Sequence, residues 1–278
     1  MKKVRIFDRL FSHESNPGRI GPGGWGQPPF EWVRDGVESK SVFLTDFDIC
    51  DQTPIPEGYD IKVAMVLEPT ASQQSIAVLQ LLNDDSRYDY ILTHDDELIK
   101  SDKALYCPAI QYHVSDFSPP RKERMVSMVA SYKKWANGHI LRHDIIQQLN
   151  GKFDLFGRGI NEIDRKEDGI RPYYFSIAIE NSKTDWYYTE KILDCFASHT
   201  VPIYWGCNNI SDHFNADGII TFNTIEELDD ILSNLTVEKY ESMIDAVKEN
   251  YKLVCNKFSS CENWLYKEYP FLFDKDNG

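Results

Sequence analysis

The pattern of apolar and polar residues between positions 174 and 206 predicts a strand, a helix and a second strand. From 175 to 179 apolar residues alternate with small ones, which is typical of a buried strand, and the run ends where the chain turns polar. Thr189 stands where a helix N-cap is expected, and the apolar residues of 192–197 repeat at the spacing of one helical face. The apolar run at 201–205 predicts the next strand. A helical crossover of this kind makes the two strands parallel.

The charged residues at the predicted helix start favour an anion-binding site. In open α/β sheets, ligands bind beyond the C-terminal ends of the parallel strands, which is where this helix begins. Glu190 suits the positive end of the helix dipole and needs no ligand to explain it. Lys191 is unfavourable there unless an anion, such as a pyrophosphate, is shared between its ammonium group and the helix N–H groups. The alternative is that both residues form an ordinary solvated helix start.

Length and composition indicate two α/β domains. The chain has 278 residues, 42% of them hydrophobic, which is enough for two modest cores. Pro119 and Pro120 stop both helix formation and strand pairing, so the stretch around them is the best linker candidate. We therefore expect one domain at 1–118 and a second at 119–278, with helices filling the C-terminal end.

Charge and hydropathy exclude several classes of protein. The net charge of −14 argues against a nucleic-acid binder or a protein of anionic membranes, since both need a basic face. The six cysteines lack CxxC spacing, so neither a zinc site nor a dense disulfide framework is indicated. No stretch reaches membrane-spanning length, and the N-terminal residues lack the apolar core of a signal peptide. We therefore expect a soluble, cytoplasmic protein with no integral membrane segment.

Two further stretches carry candidate chemistry. Segment 18–32 is rich in Gly and Pro and is predicted to be a loop. Its Trp25 and Trp32 are candidate contacts for a sugar acceptor, because sugars stack on exposed rings, or else they pin the loop to the core. Asp46 and Asp48 follow a predicted strand, and an Asp-x-Asp pair in that position can hold a divalent cation and a diphosphate. In a chain with 44 acidic residues the pattern also arises by chance.

The residues of the central unit resemble a known family. Glu180-Asn181-Ser182, the run YYTEK at 187–191 and the run HTVPIYWG at 199–206 closely resemble the donor-binding signature of the α-1,3/4-fucosyltransferases, family 10 of the glycosyltransferases. Residue types, order and spacing all match. Animal members of this family are anchored in the Golgi membrane, so this chain looks more like the soluble bacterial or virus-encoded type.

The resemblance implies a fold, a reaction and partners. The fold would be α/β and GT-B-like, with two Rossmann-like domains facing a cleft, the first on the acceptor side and the second binding the donor. The reaction would be inverting transfer of fucose from GDP-fucose to a hydroxyl of a glycan acceptor. No cofactor would be required, although stimulation by a divalent cation stays open. The expected partners are a GDP-sugar and a glycan, with no nucleic acid.

The resemblance also implies roles for residues of the donor site. Arg142 lies in a predicted helix, where the family has a basic residue, and together with Lys191 it would clamp the diphosphate. Glu190 would accept hydrogen bonds from the ribose hydroxyls. Asn181 and Tyr187 would line the donor pocket.

The expected catalytic base comes from the resemblance as well. Glu68-Pro69 follows a strong predicted strand and resembles the Glu-Ser-Pro segment of the family, so Glu68 would take the acceptor's proton; otherwise it is a surface carboxylate at a strand end. Two other classes of function stay open. One is a metal-dependent sugar-nucleotide transferase that uses Asp46 and Asp48, and the other is a catalytically silent glycan-binding protein on the same fold.

Overall fold

The computed structural model describes residues 2–8, 29–36, 39–50, 53–69, 75–108, 113–116, 118–258 and 261–273, with the side chains of Phe47 and Ser75 excepted. These residues divide into two compact units. The first contains the described residues up to 108 together with 261–273, and the second contains 113–116 and 118–258. In the described part of the chain, no helix combines the length and apolarity needed to cross a membrane.

The first unit is built on a parallel sheet of six strands in the order β2-β1-β3-β4-β5-β6. The strands are β1 (Lys2–Phe7), β2 (Phe30–Val33), β3 (Ser41–Thr45), β4 (Ile61–Met65), β5 (Tyr90–Thr93) and β6 (Ala104–Tyr106). Helix α1 (Ser75–Asn83) packs its apolar face onto this sheet, and the side chains of β3 are buried along its whole length. Strands buried on both faces are typical of parallel sheets covered by helices.

The second unit is built on a parallel sheet of five strands in the order β11-β10-β9-β7-β8. The strands are β7 (Arg124–Val129), β8 (Asp154–Phe156), β9 (Tyr173–Ile179), β10 (Val201–Trp205) and β11 (Ile220–Thr221). The helices are α2 (Asn137–Gln148), α3 (Glu190–Ala197), α4 (Ile225–Ser233) and α5 (Val237–Lys257). Helix α3 packs against β9, β10 and α5.

The predicted strand, helix and strand of the central unit are confirmed. β9 and β10 pair in parallel, with Val201 opposite Phe175 and Trp205 opposite Ile179. Every side chain of α3 from Ile192 to Ala197 is buried. The register places the ends of both strands at one edge of the sheet, which is where α3 begins.

The end of the Gly- and Pro-rich segment is a strand, so the prediction of a loop through residue 32 is wrong there. Phe30 and Trp32 are buried in β2, and the side chains that alternate with them are only partly buried. β2 pairs with β1 at the edge of the first sheet. An edge position tolerates the prolines that precede it, and the period-2 pattern is too short to stand out beside them. Residues 18–28 lie outside the described residues.

The last helix belongs to the first unit, contrary to the predicted division of the chain at 118/119. α6 (Cys261–Glu268) ends in a 3₁₀ turn, Pro270–Leu272, and Phe273 beyond it stacks on Phe30 and Phe43 with ring centroids 4.5 and 5.7 Å apart. The hydroxyl of Tyr269 donates to the carbonyl of Tyr106 (2.7 Å). The stacking of Phe273 on rings of β2 and β3, together with the hydrogen bond from Tyr269 to β6, holds this segment on the first sheet.

Candidate functional site

A buried carboxylate joins the end of β9 to the start of α3. Glu180 directly follows β9 and is 0% exposed. Its Oε1 accepts a hydrogen bond from the backbone N–H of Thr189 (2.9 Å), and its Oε2 accepts one from the Thr189 hydroxyl (2.6 Å). The backbone N–H of Glu180 donates to the carbonyl of Trp205 at the end of β10 (2.9 Å). The carboxylate therefore fixes how two strand ends meet the helix.

Lys191 lies against the same carboxylate. Its Nζ is 3.3 Å from Glu180 Oε2 and 3.2 Å from Glu190 Oε1, and it donates to the hydroxyl of Thr189 (2.8 Å). Thr189 caps α3 as predicted, because its side chain accepts the backbone N–H of Lys191 (3.5 Å). Lys191 therefore needs no bound anion at this helix start, contrary to the prediction, since two carboxylates already supply the opposite charge.

Glu190 belongs to a wider network of charges. Lys166, on the 3₁₀ turn Lys166–Gly169, has its Nζ 3.5 Å from Glu190 and 2.7 Å from the buried Asp194. Burial favours the neutral acid, but the ammonium groups of Lys191 and Lys166 lower the pKa of Glu190 well below its ordinary value. Burial also opposes the charge of Lys166, and Asp194 and Glu190 raise its pKa. Glu190 is thus an ionised acceptor that can bind hydroxyl groups.

The first turn of α2 packs against the same end of β9. The backbone N–H of Gly138 donates to the carbonyl of Asn181 (3.0 Å). A Cβ at Gly138 would lie 1.7 Å from the carbonyl oxygen of Glu180, so glycine alone allows the two backbones to come this close. β7, which precedes α2, is the neighbour of β9 in the parallel sheet. Two helices therefore begin side by side at one edge.

Arg142 reaches from α2 to the end of β9. It is 6% exposed; its Nε donates to the carbonyl of Ile179 (3.2 Å), and its Nη2 donates to that carbonyl and to Asn181 Oδ1 (3.0 Å). Burial lowers the pKa of Arg142, while Glu180 and Tyr187 act in the opposite direction. Among the described residues, none accepts a hydrogen bond from its Nη1. Uncharged oxygens thus hold the guanidinium, and one of its edges is left for a ligand.

A small cavity lies where these cations converge. Arg142, Lys166 and Lys191 line it together with residues of β9 and with Cys195 of α3. Cations beside a helix N-terminus are the arrangement that binds phosphate groups. The ionised Glu190, which contacts Lys166 and Lys191, can accept hydrogen bonds from hydroxyl groups. The cations can bind an anionic group, so the site can hold a ligand that carries both.

Of the residues named from the sequence, five lie in the second unit at this edge of the sheet. They are Arg142, Asn181, Tyr187, Glu190 and Lys191, and Tyr187 is 2% exposed. The predicted donor residues therefore lie close together. The role of each one stays a prediction.

Three residues of the site were missed. Lys166 and Asp194 form an ion pair across residues far apart in sequence, and nothing in the local pattern marks them as partners. A weak signal existed for Gly138, because an isolated glycine inside a helical pattern usually has a packing reason.

Glu68 lies in the first unit, shortly after β4, and is half-buried. The carboxyl group of Asp46, which follows β3, accepts the backbone N–H of Leu67 (3.2 Å) and that of Glu68 (3.3 Å). Asp46 is 3% exposed, and burial raises its pKa to about 7 against the opposing effect of these N–H donors. The backbone that carries Glu68 is therefore fixed by the end of the neighbouring strand.

The other acidic strand ends have structural partners. The oxygens of Asp46 face N–H groups, Asp48 is fully buried, and no group of three or more His, Cys, Asp or Glu within the described ranges could hold a metal ion. The metal-dependent alternative thus has no ligand set in that part of the chain. Asp95 accepts the N–H groups of Glu97 (3.0 Å) and Leu98 (3.1 Å), as a turn cap does.

The two tryptophans proposed as acceptor contacts differ in outcome. Trp25 lies outside the described residues. Trp32 is 7% exposed, its ring packs edge-on against Phe30 and Phe43, and its Nε1 donates to Glu262 Oε1 (2.9 Å). A ring buried in this way cannot offer a face to a sugar, so the prediction of Trp32 as an acceptor contact is wrong, and its role is to pin β2 to the core.

Solved structures with a similar fold define the class. An α1,3-fucosyltransferase crystallised with GDP-fucose aligns with a TM-score of 0.57 at 18% identity, over 100% of this chain and 91% of its own. A mutant of S. aureus TarM solved with UDP aligns with a TM-score of 0.56 at 10% identity, over 84% of this chain and 55% of its own. The fold is that of a GT-B glycosyltransferase, as predicted.

The sequence identifies the family. The model of glycosyltransferase family 10 (fucosyltransferase), C-terminal part, matches residues 119–262, just over half of the chain. The chain belongs to glycosyltransferase family 10. It is 26% identical over 214 residues to the alpha-(1,3)-fucosyltransferase FucT of Helicobacter pylori, a match that covers 66% of this chain and 44% of the relative. The chain thus spans less than half the length of that curated relative.

The close approach at Gly138 can be tested by substitution. Gly138→Ala should lower the free energy of unfolding by about 3 kcal/mol, the upper end of ordinary overpacking, because the new methyl group would meet a backbone carbonyl that cannot rotate away. Urea unfolding measures this loss. Gly151→Ala is the matched control, since its Cβ would meet nothing within 4 Å and only its φ of +86° is unfavourable, at about 1–2 kcal/mol. Equal losses in the two variants would contradict the contact.

The buried Asp46 predicts a pH dependence of stability. Its pKa is about 7 in the folded chain and 3.8 as an ordinary carboxyl, so between these values only the folded state keeps the proton. The free energy of unfolding should therefore fall as pH rises from 4 to 7, by up to about 4 kcal/mol relative to Asp46→Asn. Urea unfolding of both proteins at several pH values measures the difference.

Asp84→Asn provides the control for that experiment. Asp84 is exposed, and hydrogen bonds from Ser86 lower its pKa. Stability relative to Asp84→Asn should therefore not fall over the same range. If the free energy of unfolding of the wild type relative to Asp46→Asn does not change from pH 4 to 8, Asp46 is ionised in the folded chain.

Proposed function

We propose that this chain is an inverting glycosyltransferase that moves fucose from GDP-fucose to a hydroxyl of a glycan acceptor. The observation that carries the proposal is the edge of the second sheet, where Arg142 and Lys191 lie beside the ionised Glu190 at the starts of two helices. These residues match the family's donor signature, and the family model covers this unit. Among the known proteins that the chain resembles, one is the alpha-(1,3)-fucosyltransferase FucT of Helicobacter pylori and another is an α1,3-fucosyltransferase solved with GDP-fucose.

The proposed donor contacts follow from the chemistry of each group. The Nη1 of Arg142 and the ammonium group of Lys191 would bind the diphosphate, whose negative charge grows as the glycosidic bond breaks. Glu190 would accept hydrogen bonds from the ribose, because two ammonium groups keep it ionised. Asn181 is held by Arg142 and would, with Tyr187, shape the wall of the donor pocket.

The proposed base is Glu68, in the first unit. An inverting transfer needs one carboxylate to take the proton of the acceptor hydroxyl as that oxygen attacks the anomeric carbon. Asp46 accepts the backbone N–H groups of Leu67 and Glu68, so the segment after β4 that carries Glu68 is tied to the end of β3. This scheme uses no metal, because the cationic groups of Arg142 and Lys191 would stabilise the leaving diphosphate. The glycan acceptor itself is proposed by class only.

The donor assignment predicts the effect of removing Lys191. Lys191→Ala should weaken GDP binding by about 1.5–3 kcal/mol, the range for hydrogen bonds to charged groups, because one ammonium contact to the diphosphate is lost. Isothermal titration calorimetry with GDP measures the change. Circular dichroism of the unliganded variant checks that Glu180, which loses its ion pair, still holds the fold.

Lys183→Ala is the matched control for charge. Lys183 precedes the same helix but is exposed and donates to Asn223 Oδ1 (2.5 Å), so its removal should leave GDP affinity unchanged. An unchanged affinity in Lys191→Ala would remove Lys191 from the clamp. Because Arg142 and Lys191 would hold one diphosphate, the effects of their two alanine variants should not add.

The base assignment predicts a loss of turnover without a loss of binding. Glu68→Gln keeps the size and polarity of the side chain but cannot take a proton, so transfer should slow by about 10²–10⁴-fold while GDP-fucose binds normally. A single-turnover assay with saturating GDP-fucose and N-acetyllactosamine as the acceptor measures the rate.

Two controls separate the alternatives. Asp95→Asn removes the charge of another strand-end acid while keeping an oxygen for its turn, and it should transfer at a near-normal rate. If Glu68→Gln transfers fucose at the normal rate and Asp95→Asn does not, the base is Asp95 and not Glu68. Inhibition by EDTA together with loss in Asp46→Asn would instead favour the metal-dependent reaction. A wild type that binds glycans but transfers nothing would be a silent binder.

A further inference from the structure

A histidine beside the proposed donor site has a buried nitrogen with no hydrogen bond. His139 lies in the first turn of α2, directly after Gly138, and is 3% exposed. Its Nδ1 is inaccessible to solvent and has no hydrogen-bond partner among the described residues. A buried polar atom without a partner costs about 1–3 kcal/mol, so the fold gains nothing by placing an imidazole nitrogen here.

The surroundings of the imidazole are cationic. Burial and the nearby charges of Arg142 and Lys133, followed by those of Lys191 and His143, lower the pKa of His139 to about 4. These groups come from α2 itself, from the segment before it and from α3. Burial first, and then the surrounding positive charge, therefore favour the neutral imidazole in the unliganded chain.

The imidazole is also held in place. The ring of Trp135 lies 4.6 Å from that of His139, centroid to centroid, and Lys133 Nζ lies 5.8 Å from the centroid of the Trp135 ring. The helix start itself has no side-chain cap, since Ala136 stands at the N-cap of α2. The backbone N–H groups of this turn are largely taken, since that of Gly138 donates to Asn181 and those of His139 and Ile140 donate to Ala136. The unpartnered Nδ1 of a fixed imidazole among cations is therefore the group of this turn that can meet an anion.

We propose that His139 is a further donor-binding residue, which binds the diphosphate of the sugar nucleotide through its imidazole and takes up a proton from solvent as it does so. The inference rests on the proposed function, because it assumes that a GDP-sugar occupies the site formed by Arg142, Lys191 and the starts of α2 and α3. His139 lies outside the family signature at 180–206, so the inference adds a contact that this signature does not contain. No bond of the ligand is broken in this step.

The proton uptake follows from charge balance. Burial is the first cause that disfavours the imidazolium, and the neighbouring cations disfavour it further. Two negative charges on the diphosphate would offset those cations and attract the imidazolium directly, so binding favours the imidazolium over the imidazole. The imidazolium can then donate a charge-assisted hydrogen bond from Nδ1, which had no partner before. Thermodynamic linkage makes GDP-fucose bind more tightly at lower pH over the range in which His139 takes up its proton.

The test is calorimetric titration of GDP-fucose into the whole chain, without acceptor, in Pipes and in Bis-Tris at pH 6.5. The difference in heat between the two buffers gives the number of protons taken up. GDP-fucose is suitable because its diphosphate, esterified at both ends, does not titrate near this pH. Wild type should take up protons, and His139→Ala should bind about 10- to 100-fold more weakly with the uptake abolished.

Two further variants separate binding from a structural effect. His139→Asn places an amide nitrogen near the position of Nδ1, so it should recover part of the affinity but none of the proton uptake. His143→Ala is the control on the same helix, because His143 is bonded to the carbonyl of Lys133 (3.1 Å) and should leave proton uptake in place. The melting temperature of each unliganded variant shows whether the fold is retained.

The outcomes distinguish the inference from the function on which it rests. If wild type binds GDP-fucose and His139→Ala binds it equally well with the same proton uptake, the inference is overturned and the donor site stands. If His139→Asn behaves like wild type in its proton uptake, another group takes the proton and the inference fails. If wild type binds neither GDP-fucose nor GDP, the proposed function fails and the inference with it.

Discussion

The second unit depends on one buried carboxylate. Burying the carboxyl group of Glu180 completely without partners would cost several kcal/mol, so its partners must be present for the fold to hold. Those partners are the N–H and hydroxyl groups of Thr189 and the ammonium group of Lys191, and all of them come from the start of α3. The need to neutralise one strand-end carboxylate therefore determines where α3 begins, and it brings Lys191 and Glu190 to the end of β9.

The sheet order turns this local contact into a site. Because β7 and β9 are parallel neighbours, the helices that follow them start at the same edge, and Gly138 lets α2 approach the backbone of Glu180 directly. The positive ends of two helix dipoles then lie together, with Arg142 fixed between them by the carbonyl of Ile179. An anion-binding edge thus follows from strand order and from one glycine, before any particular ligand is considered.

Local patterns predicted the parts of the structure that depend on neighbours in sequence. The period-2 run of β9, the apolar face of α3 and the Thr189 cap are each marked by a sequence pattern that lies within about ten consecutive residues, and all are present. The location of α6 could not be predicted, because it depends on Phe273 and Glu262 meeting aromatic residues more than two hundred positions earlier. The same holds for the site: the signature marked Lys191 and Glu190, whereas the ion pair of Lys166 with Asp194 and the isolated Nδ1 of His139 exist only in the folded chain.

The charge balance of the site indicates which ligands it can select. The chain carries a net charge of −14, so its long-range field repels an anion, and attraction must come from groups that touch the ligand. Lys166 and Lys191 are already paired with Asp194, Glu180 and Glu190, which leaves little unbalanced positive charge for a simple phosphate. A ligand that brings hydroxyls to Glu190 as well as negative charge to Arg142 satisfies both kinds of group at once. Sugar nucleotides carry hydroxyl groups and negative charge on one molecule, and inorganic phosphate does not. The carboxylates that pair with the lysines weaken the binding of small anions, and they thereby make the site selective for sugar nucleotides.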